Sequence, residues 1–293
     1  MRKFTLEIIK KLDFLEELEL FNEIIGDNEE ELYSLSCDYV LSKKPQDEII
    51  EKACSICPNY PKTAVSLVIQ LLATEELLKE YQKRNISEDI FYNTITDIKR
   101  KYIEGKDLHG IVGTPAEVWQ RGFFNLTRFA LGYFQYDVNY LSPCDYNGFG
   151  ANIKKGDIIP RIHMPSGGDF SYQSRLNSYK LAYEFFKGKT FNDNLFVMKA
   201  DTWFLFPEYE EIFPKGNIHD FRREVDLVGS EEFDTLSIAF RIWGTKKDLP
   251  TEQLPEDTSM QRGFKKHILE KKPFGWGYSF IVFDGENILT KKD

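Results

Sequence analysis

The sequence predicts an α+β fold: an all-helical N-terminal domain over residues 1–136, then a mixed β-sheet domain with flanking helices over 137–293. Three observations carry that expectation. Apolar residues recur at spacings of three and four through the first 136 or so positions, the period of an amphipathic helix. From Tyr133 the period drops to two, as in Phe134-Gln-Tyr136-Asp-Val138-Asn-Tyr140, which is strand character. Finally, the stretch from Asp157 to Phe170, DIIPRIHMPSGGDF, reads as a strand that runs into a glycine turn and then a helix.

The helical half divides at its breakers. Leu6, Ile9, Leu12, Leu15, Leu18 and Ile25 are spaced for one amphipathic helix ending at Gly26. A second helical run stops before Pro45 and a third covers Asp47 to Cys57. Pro61 opens a fourth, with Val65, Val68, Ile69, Leu72, Leu77 and Leu78 as its buried stripe. Ser87 caps the next, which Gly105 closes. Thr114-Pro115-Ala116-Glu117 places Thr at N-cap, Pro at N1 and Glu at N3 of an aromatic helix through Trp119, Phe123, Leu126, Phe129 and Phe134.

In the second half, Pro143 to Gly156 reads as a loop between the 134–140 strand and a strand from Asp157 to His163, with a hairpin expected. Ile158, Ile159 and Ile162 suit a pleated surface, and Pro165 cannot continue a ladder. Leu176, Tyr179, Tyr183 and Phe186 mark a helix near 174–187. Leu195 to Phe206 reads as one long strand, or a strand bulged at Ala200-Asp201, followed by a short helix from Pro207 to Phe213. Phe221–Val228 and Leu236–Trp243 alternate like two more strands. Asp257-Thr258-Ser259 caps a helix through Phe264, Ile268 and Leu269, and Gly277 to Asp284 is the final strand.

Composition narrows the function class. A hydrophobic content of 42% with 15% aromatic residues is that of a globular chain. The formal charge of −9 argues against non-specific binding to nucleic acid or an anionic membrane, since both require a basic face. No stretch approaches the roughly 18 apolar residues of a membrane span. Lys10, Lys11 and Asp13 interrupt what a signal peptide would keep apolar, so the expectation is cytoplasmic. Cys54-Ser-Ile-Cys57 has the spacing of a zinc or redox half-site but lacks a second CxxC or a His-x-x-x-His partner, so no metal is expected.

Four patches carry polar groups that a plain core would not need. The first is His163 with Ser166, Gly167 and Gly168, at a strand end before a helix, where ligand sites of α/β sheets concentrate. The second is Asp201-Thr202-Trp203 in an otherwise apolar strand; the third, Lys215 to His219 around Asn217, is a tight turn before a strand. The fourth is a helix start at Thr258, Ser259, Gln261 and Arg262, whose dipole, hydroxyls and guanidinium suit a phosphate, although Asp257 opposes an anion there. The chain has no G-x-S-x-G elbow, P-loop or G-x-G-x-x-G.

The runs His163-Met-Pro-Ser-Gly-Gly, Ala182-Tyr-Glu-Phe-Phe186, Asp201-Thr-Trp-Phe-Leu-Phe-Pro207, Asn217-Ile-His-Asp-Phe221 and Leu254-Pro-Glu-Asp-Thr-Ser-Met-Gln-Arg262 occur in this order. Together they resemble a family of bacterial proteins classed as acyltransferases, with a helical N-acyltransferase N-terminal domain and a GNAT-like C-terminal domain. The resemblance implies a GNAT-like mixed sheet and transfer of an acyl group from acetyl-CoA or another acyl-CoA to a small-molecule amine of unspecified identity. In that reading His163 is general base or orienter, with Ser166 and Asp201 as further catalytic candidates. Thr258, Ser259, Gln261 and Arg262 hold the donor, while Gly167, Gly168, Trp203 and Asn217 line the acceptor site. The sequence departs from the (Q/R)-x-x-G-x-(G/A) loop of ordinary GNAT enzymes, since Gln261-Arg-Gly-Phe-Lys-Lys fills neither glycine position. The alternative is a non-catalytic GNAT-like binding or regulatory protein that does not use CoA.

Overall fold

The computed structural model describes residues 1–188, 191–192 and 194–292. They form two compact units, Met1–Ala130 with Pro165–Gly167, and Leu131–Met164 with Gly168–Asp293.

The first unit is built around one helix. Helices α1 (Lys3–Lys11), α2 (Leu18–Ile25), α3 (Glu29–Tyr39), α4 (Gln46–Ile56), α5 (Lys62–Lys83), α6 (Glu88–Glu104) and α7 (Glu117–Phe124) follow in order, and all the others pack on α5. Every position of α5 from Ala64 to Thr74 is buried, as a helix surrounded by neighbours requires. The sequence predicts one helix up to Gly26; instead Asp13 takes a left-handed φ of 59° and splits it into α1 and α2. The expected cap at Thr114 is displaced too. Its hydroxyl accepts from the Ala116 N–H, and α7 begins at Glu117. This helix ends at Phe124 rather than continuing to Phe134. Leu126 has φ 54°, and Arg128 turns back to stack on the Trp119 ring at 3.5 Å and donate to its carbonyl. Cys57 is buried with its thiol donating to the Ile24 carbonyl, and burial raises the thiol pKa of both Cys54 and Cys57.

The chain passes from the first unit to the second within a short strand, β1 (Arg128–Leu131). The second unit is a mixed sheet ordered β2 (Phe134–Leu141), β5 (Ile158–His163), β7 (Leu195–Thr202), β9 (Phe274–Phe283), β8 (Asp226–Phe233), with β6 (Phe191–Asn192) pairing β7. Strands β5 and β7 are parallel, and β2–β5, β7–β9 and β9–β8 are antiparallel. The expected β2–β5 hairpin is present, but its connection is not plain loop: β3 (Tyr146–Gly148) and β4 (Ala151–Ile153) form a hairpin of their own. The β2–β5 register shifts between Asp137 and Tyr140, opposite Pro160, which has no N–H to offer a ladder.

Alternation sends the two side-chain sets of this sheet to opposite faces. One face carries Phe134, Tyr136, Ile162, Phe196, Met198, Ala200, Ile281 and Phe283, all buried. Helices α8 (Tyr172–Phe186) and α9 (Asn217–Glu224) cover it, with ring contacts Phe134–Tyr179, Phe186–Phe196 and Phe134–Phe221 at 5.3, 5.7 and 6.1 Å. On the other face the β3–β4 hairpin sets Tyr146, Ala151 and Ile153 against Ile159, Val197, Phe280 and Val282.

Three strand expectations are corrected here. β7 ends at Thr202, and Trp203–Leu205 form a 3₁₀ turn that lies on β9. Gly277 permits this, because a Cβ there would stand 2.5 Å from the Leu205 carbonyl. Phe221–Val228 is largely helix: Asn217–Glu224 forms α9, burying Phe221 and Glu224 three residues apart, and only the tail from Asp226 enters β8. Leu236–Trp243 likewise contains helix α10 (Ala239–Trp243) rather than a strand, because Ile238, Ile242 and Trp243 are buried on a helical spacing. α11 (Ser259–Leu269) precedes β9. Among the described residues no helix is long and apolar enough to cross a membrane.

Helices α8 and α9 are joined by a fully buried ion pair. The Arg175 Nη2 donates to Glu224 Oε1 at 2.5 Å and its Nε to both carboxylate oxygens, while Tyr179 donates to Glu224 Oε2 at 3.1 Å. Removing one member leaves the other charged and unpaired inside the protein. Arg175→Met is therefore expected to cost about 3–5 kcal/mol in urea denaturation. The double variant Arg175→Met/Glu224→Met is expected to recover much of that loss.

Candidate active site on the charged face of the sheet

Beyond the apolar cluster under the β3–β4 hairpin, the same face of the sheet turns polar. The registers Gln135↔His163, Asp137↔Arg161, Arg161↔Lys199 and Asp201↔Tyr278 line up polar and charged groups from four neighbouring strands. Asp137 Oδ2 is their hub. It accepts from His163 Nε2 at 2.6 Å and from Arg161 Nη2 and Nε at 2.8 and 3.2 Å. The Arg161 guanidinium also lies over the Tyr140 ring at 4.5 Å. On the next strand the buried Lys199 ammonium pairs with Asp201 Oδ1 at 2.9 Å and sits 4.6 Å from the Phe280 ring centroid.

Two phenols border this cluster. Tyr278 donates to Glu231 on the edge strand, and that bond, with some burial, pushes its pKa up to about 12. Tyr140 is raised by burial and by the Asp201 charge. Both therefore stay protonated through the neutral range and can donate a hydrogen bond.

The parallel pair next to these groups is short. β5 and β7 match only at Arg161↔Lys199 and Ile162↔Ala200. Past Ile162, β5 ends at His163 and the chain runs through Gly167 and Gly168, with φ 73° and 83°, to the start of α8. There Ser171 is the N-cap, its hydroxyl accepting from the Ser174 N–H, and Asp169 accepts from both the backbone N–H and the hydroxyl of Ser171. Arg175 holds the loop exit by donating to the Phe170 carbonyl at 2.5 Å and reaches the Asn217 carbonyl at 3.4 Å.

The sequence-derived candidates distribute unevenly over this geometry. His163 and Asp201 share one sheet face on adjacent strands. Ser166 falls with the first unit, where its hydroxyl donates to Glu104, which is ion-paired to Lys101 at 2.6 Å. Trp203 lies in the turn after β7 and packs on Phe213 and Phe264. Asn217 is the first residue of α9, not part of a turn before a strand. Thr258 and Gln261 form a reciprocal capping box, and Gln261 also donates to the Ile242 carbonyl. The Arg262 Nη1 donates to the carbonyls of Glu256 and Asp257, and Ser259 is the exposed first residue of α11. The polar groups at the head of α11 are thus largely spent on the helix and its approach.

Sequence reasoning missed Asp137, Arg161, Lys199, Tyr140 and Tyr278. A signal was present: Gln135/Asp137, Arg161/His163 and Lys199/Asp201 are polar pairs two apart within apolar strands, so each strand turns a polar pair to one face. Because Thr258 serves as a helix cap, Thr258→Ala is expected to cost about 1 kcal/mol in urea denaturation. Its affinity for any acyl-CoA is expected to stay at the wild-type value by titration calorimetry.

Among known proteins, residues 18–126 match the N-acyltransferase N-terminal domain and residues 128–281 match the GNAT-like C-terminal domain, the latter over more than half of the chain. The fold resembles the crystal structure of an acyltransferase in complex with decanoyl-CoA, with TM-score 0.61 and 19% identity over 75% of this chain and 66% of that one. It also resembles an acyltransferase complex with decanoyl-CoA and teicoplanin, at TM-score 0.62 and 18% identity over 75% and 67% of the two chains. An acyltransferase mutant with octanoyl-CoA gives TM-score 0.60 and 18% identity over 75% and 66%. The chain spans about two thirds of the length of these structures, and at such identities the likeness is one of fold. No curated protein matches the sequence. The two matches together decide membership: the chain belongs to the family that joins an N-acyltransferase N-terminal domain to a GNAT-like C-terminal domain.

Proposed function

We propose that the protein is an N-acyltransferase that moves an acyl group from an acyl-CoA to an amine of a small molecule. The observation that carries this reading is the parallel pair β5–β7, matched at only two positions, with His163 and Asp201 at its mouth and the head of α8 beyond. Strands that part leave backbone N–H and C=O groups able to bond the amides of an extended pantetheine arm. A helix N-terminus entered through two left-handed glycines offers N–H groups and a positive dipole end to the pyrophosphate. This reading puts the donor at the head of α8, from Gly168 to Ser174, rather than at Thr258–Arg262. Family membership supports the same reading, as do fold relatives crystallised with decanoyl-CoA and octanoyl-CoA.

In the proposed reaction the acceptor nitrogen attacks the thioester carbonyl carbon, forming the C–N bond. A neutral His163 ring that donates from Nε2 to Asp137 carries its lone pair on Nδ1, and that atom takes the proton from the attacking nitrogen. Asp137 fixes tautomer and ring orientation, while Arg161 holds Asp137. The tetrahedral intermediate then collapses, the C–S bond breaks, and the CoA thiolate leaves with a proton returned by the imidazolium. Protonated Tyr140 is a donor on the same face, suited to the oxyanion or to the acceptor, while the Tyr278 O–H is held by Glu231. Asp201, neutralised by Lys199, is a positioning group for an amine rather than a base. One fold relative was crystallised with decanoyl-CoA and teicoplanin; here the acceptor is proposed as a small-molecule amine.

Asp169 favours a second reading, a binding protein that does not use CoA. Hydrogen bonds from Ser171 hold its carboxyl below the usual range, so it is an anion at the head of α8. Thermal melting separates the two. A bound acyl-CoA at about 100 times its Kd is expected to add about 2.7 kcal/mol and raise Tm by several degrees. No shift with acetyl-, octanoyl- or decanoyl-CoA would favour the second reading. In the enzyme reading, His163→Ala is expected to lower turnover about 10²–10⁴-fold, measured as thiol release with an amine acceptor. Asp137→Asn is expected to lower kcat with little change in KM for the donor.

A further inference from the structure

On the other side of α9 from the α8–α9 ion pair lies a cavity of about 230 Å³ with an unusual charge balance. Arg222, Arg223, Lys292 and His219 line it, with Glu210 as its one carboxylate over an apolar floor that includes Leu205 and Val225. Arg222 is half-buried and pinned: its Nη1 donates to the carbonyls of Phe204 at 2.5 Å and Phe206 at 3.0 Å. Burial lowers its pKa from the usual guanidinium value, the mark of a charge held away from water. The Lys292 N–H donates to the Arg223 carbonyl at 2.8 Å, which keeps these two residues side by side.

Among the described residues, no carboxylate forms an ion pair with Arg222, Arg223 or Lys292. His219 is paired only with its neighbour Asp220. In a chain carrying nine excess negative charges, three cations gathered at a cavity with a single carboxylate, Glu210, among them need a reason. Against Glu210 they leave two positive charges, which balance the two negative charges of a phosphoryl dianion. The planar guanidinium forks and the ammonium suit its oxygens.

We propose that this cavity binds a phosphoryl group. The phosphate belongs either to a free phosphorylated metabolite or to the ribose 3′-phosphate of CoA itself, and the proposal does not depend on the acyl-transfer reading. Because Arg222 also holds the turn that carries Trp203, an occupant would brace the segment that follows β7.

The test uses the full chain and the variant Arg223→Gln/Lys292→Gln, whose side chains are exposed and whose loss is not expected to impair folding. Inorganic phosphate at fixed ionic strength is expected to raise the wild-type Tm by about two degrees or more over chloride, and to leave the variant unmoved. CoA and dephospho-CoA then locate the source. A CoA affinity that falls about tenfold in the variant, with dephospho-CoA unchanged, assigns the cavity to the donor's 3′-phosphate. An unchanged CoA affinity with the phosphate shift lost assigns it to a separate metabolite. Equal melting shifts in wild type and variant, or none in either together with no CoA discrimination, would overturn the proposal. A protein that binds phosphate here but no acyl-CoA would sink the acyl-transfer reading and leave this one standing.

Discussion

The second unit depends on the buried pair Arg175–Glu224. Neither side chain meets solvent, so the pair tolerates only arrangements in which its hydrogen bonds are nearly complete. Here they are: Glu224 receives Arg175 and Tyr179, while Arg175 also donates to the Phe170 and Asn217 carbonyls. Helix α8 begins just after Phe170 and α9 begins at Asn217. A single guanidinium therefore fixes the heads of both helices where the parallel strands β5 and β7 deliver the chain. The Glu224 backbone carbonyl accepts from Thr290, which ties in the segment after β9 as well.

That constraint gives the sheet two unlike faces. The helix-covered face is aromatic and dry, and its ring contacts need no polar partner. The opposite face buries Lys199 nearly completely, a cost met by Asp201 and by the Phe280 ring. Asp137 is shared between Arg161 and His163, so none of the three stands as an isolated charge in a half-buried place. A network of this kind fixes a histidine ring within narrow limits, and proton transfer needs that more than it needs a strong base.

Much of the architecture was legible, and the failures have physical causes. The strand opening at Phe134, the strand ending at His163, the Ser87 cap and the helix begun at Thr258 are local signals, and each is found where the residues place it. Phe221–Val228 reads as strand because Phe221, Arg223 and Val225 alternate; its first half is helix because Glu224, which looks like a surface residue, is buried against Arg175 49 positions away. Trp203–Phe206 carries strand propensity, yet glycines in β9 let it settle as a turn on that strand. Of the proposed site, the place of His163 and Asp201 on one sheet face follows from their position in apolar strands. That of Asp137 does not, because its importance arises only when β2 and β5 pair. Arg262 presents the opposite case: a helix start beside a guanidinium looks like a phosphate site in the sequence, and in the fold that guanidinium donates to the carbonyls of its own approach loop.

In the proposed enzyme the donor lies beside the short parallel pair β5–β7 and against the head of α8. Amide hydrogen exchange with and without CoA tests it most directly, since bound phosphate and pantetheine slow the exchange of the N–H groups they engage. The expected result is added protection within residues 163–174 and 199–205, with residues 258–269 unchanged. Protection confined to 258–269, or none anywhere on saturation with CoA, would contradict it.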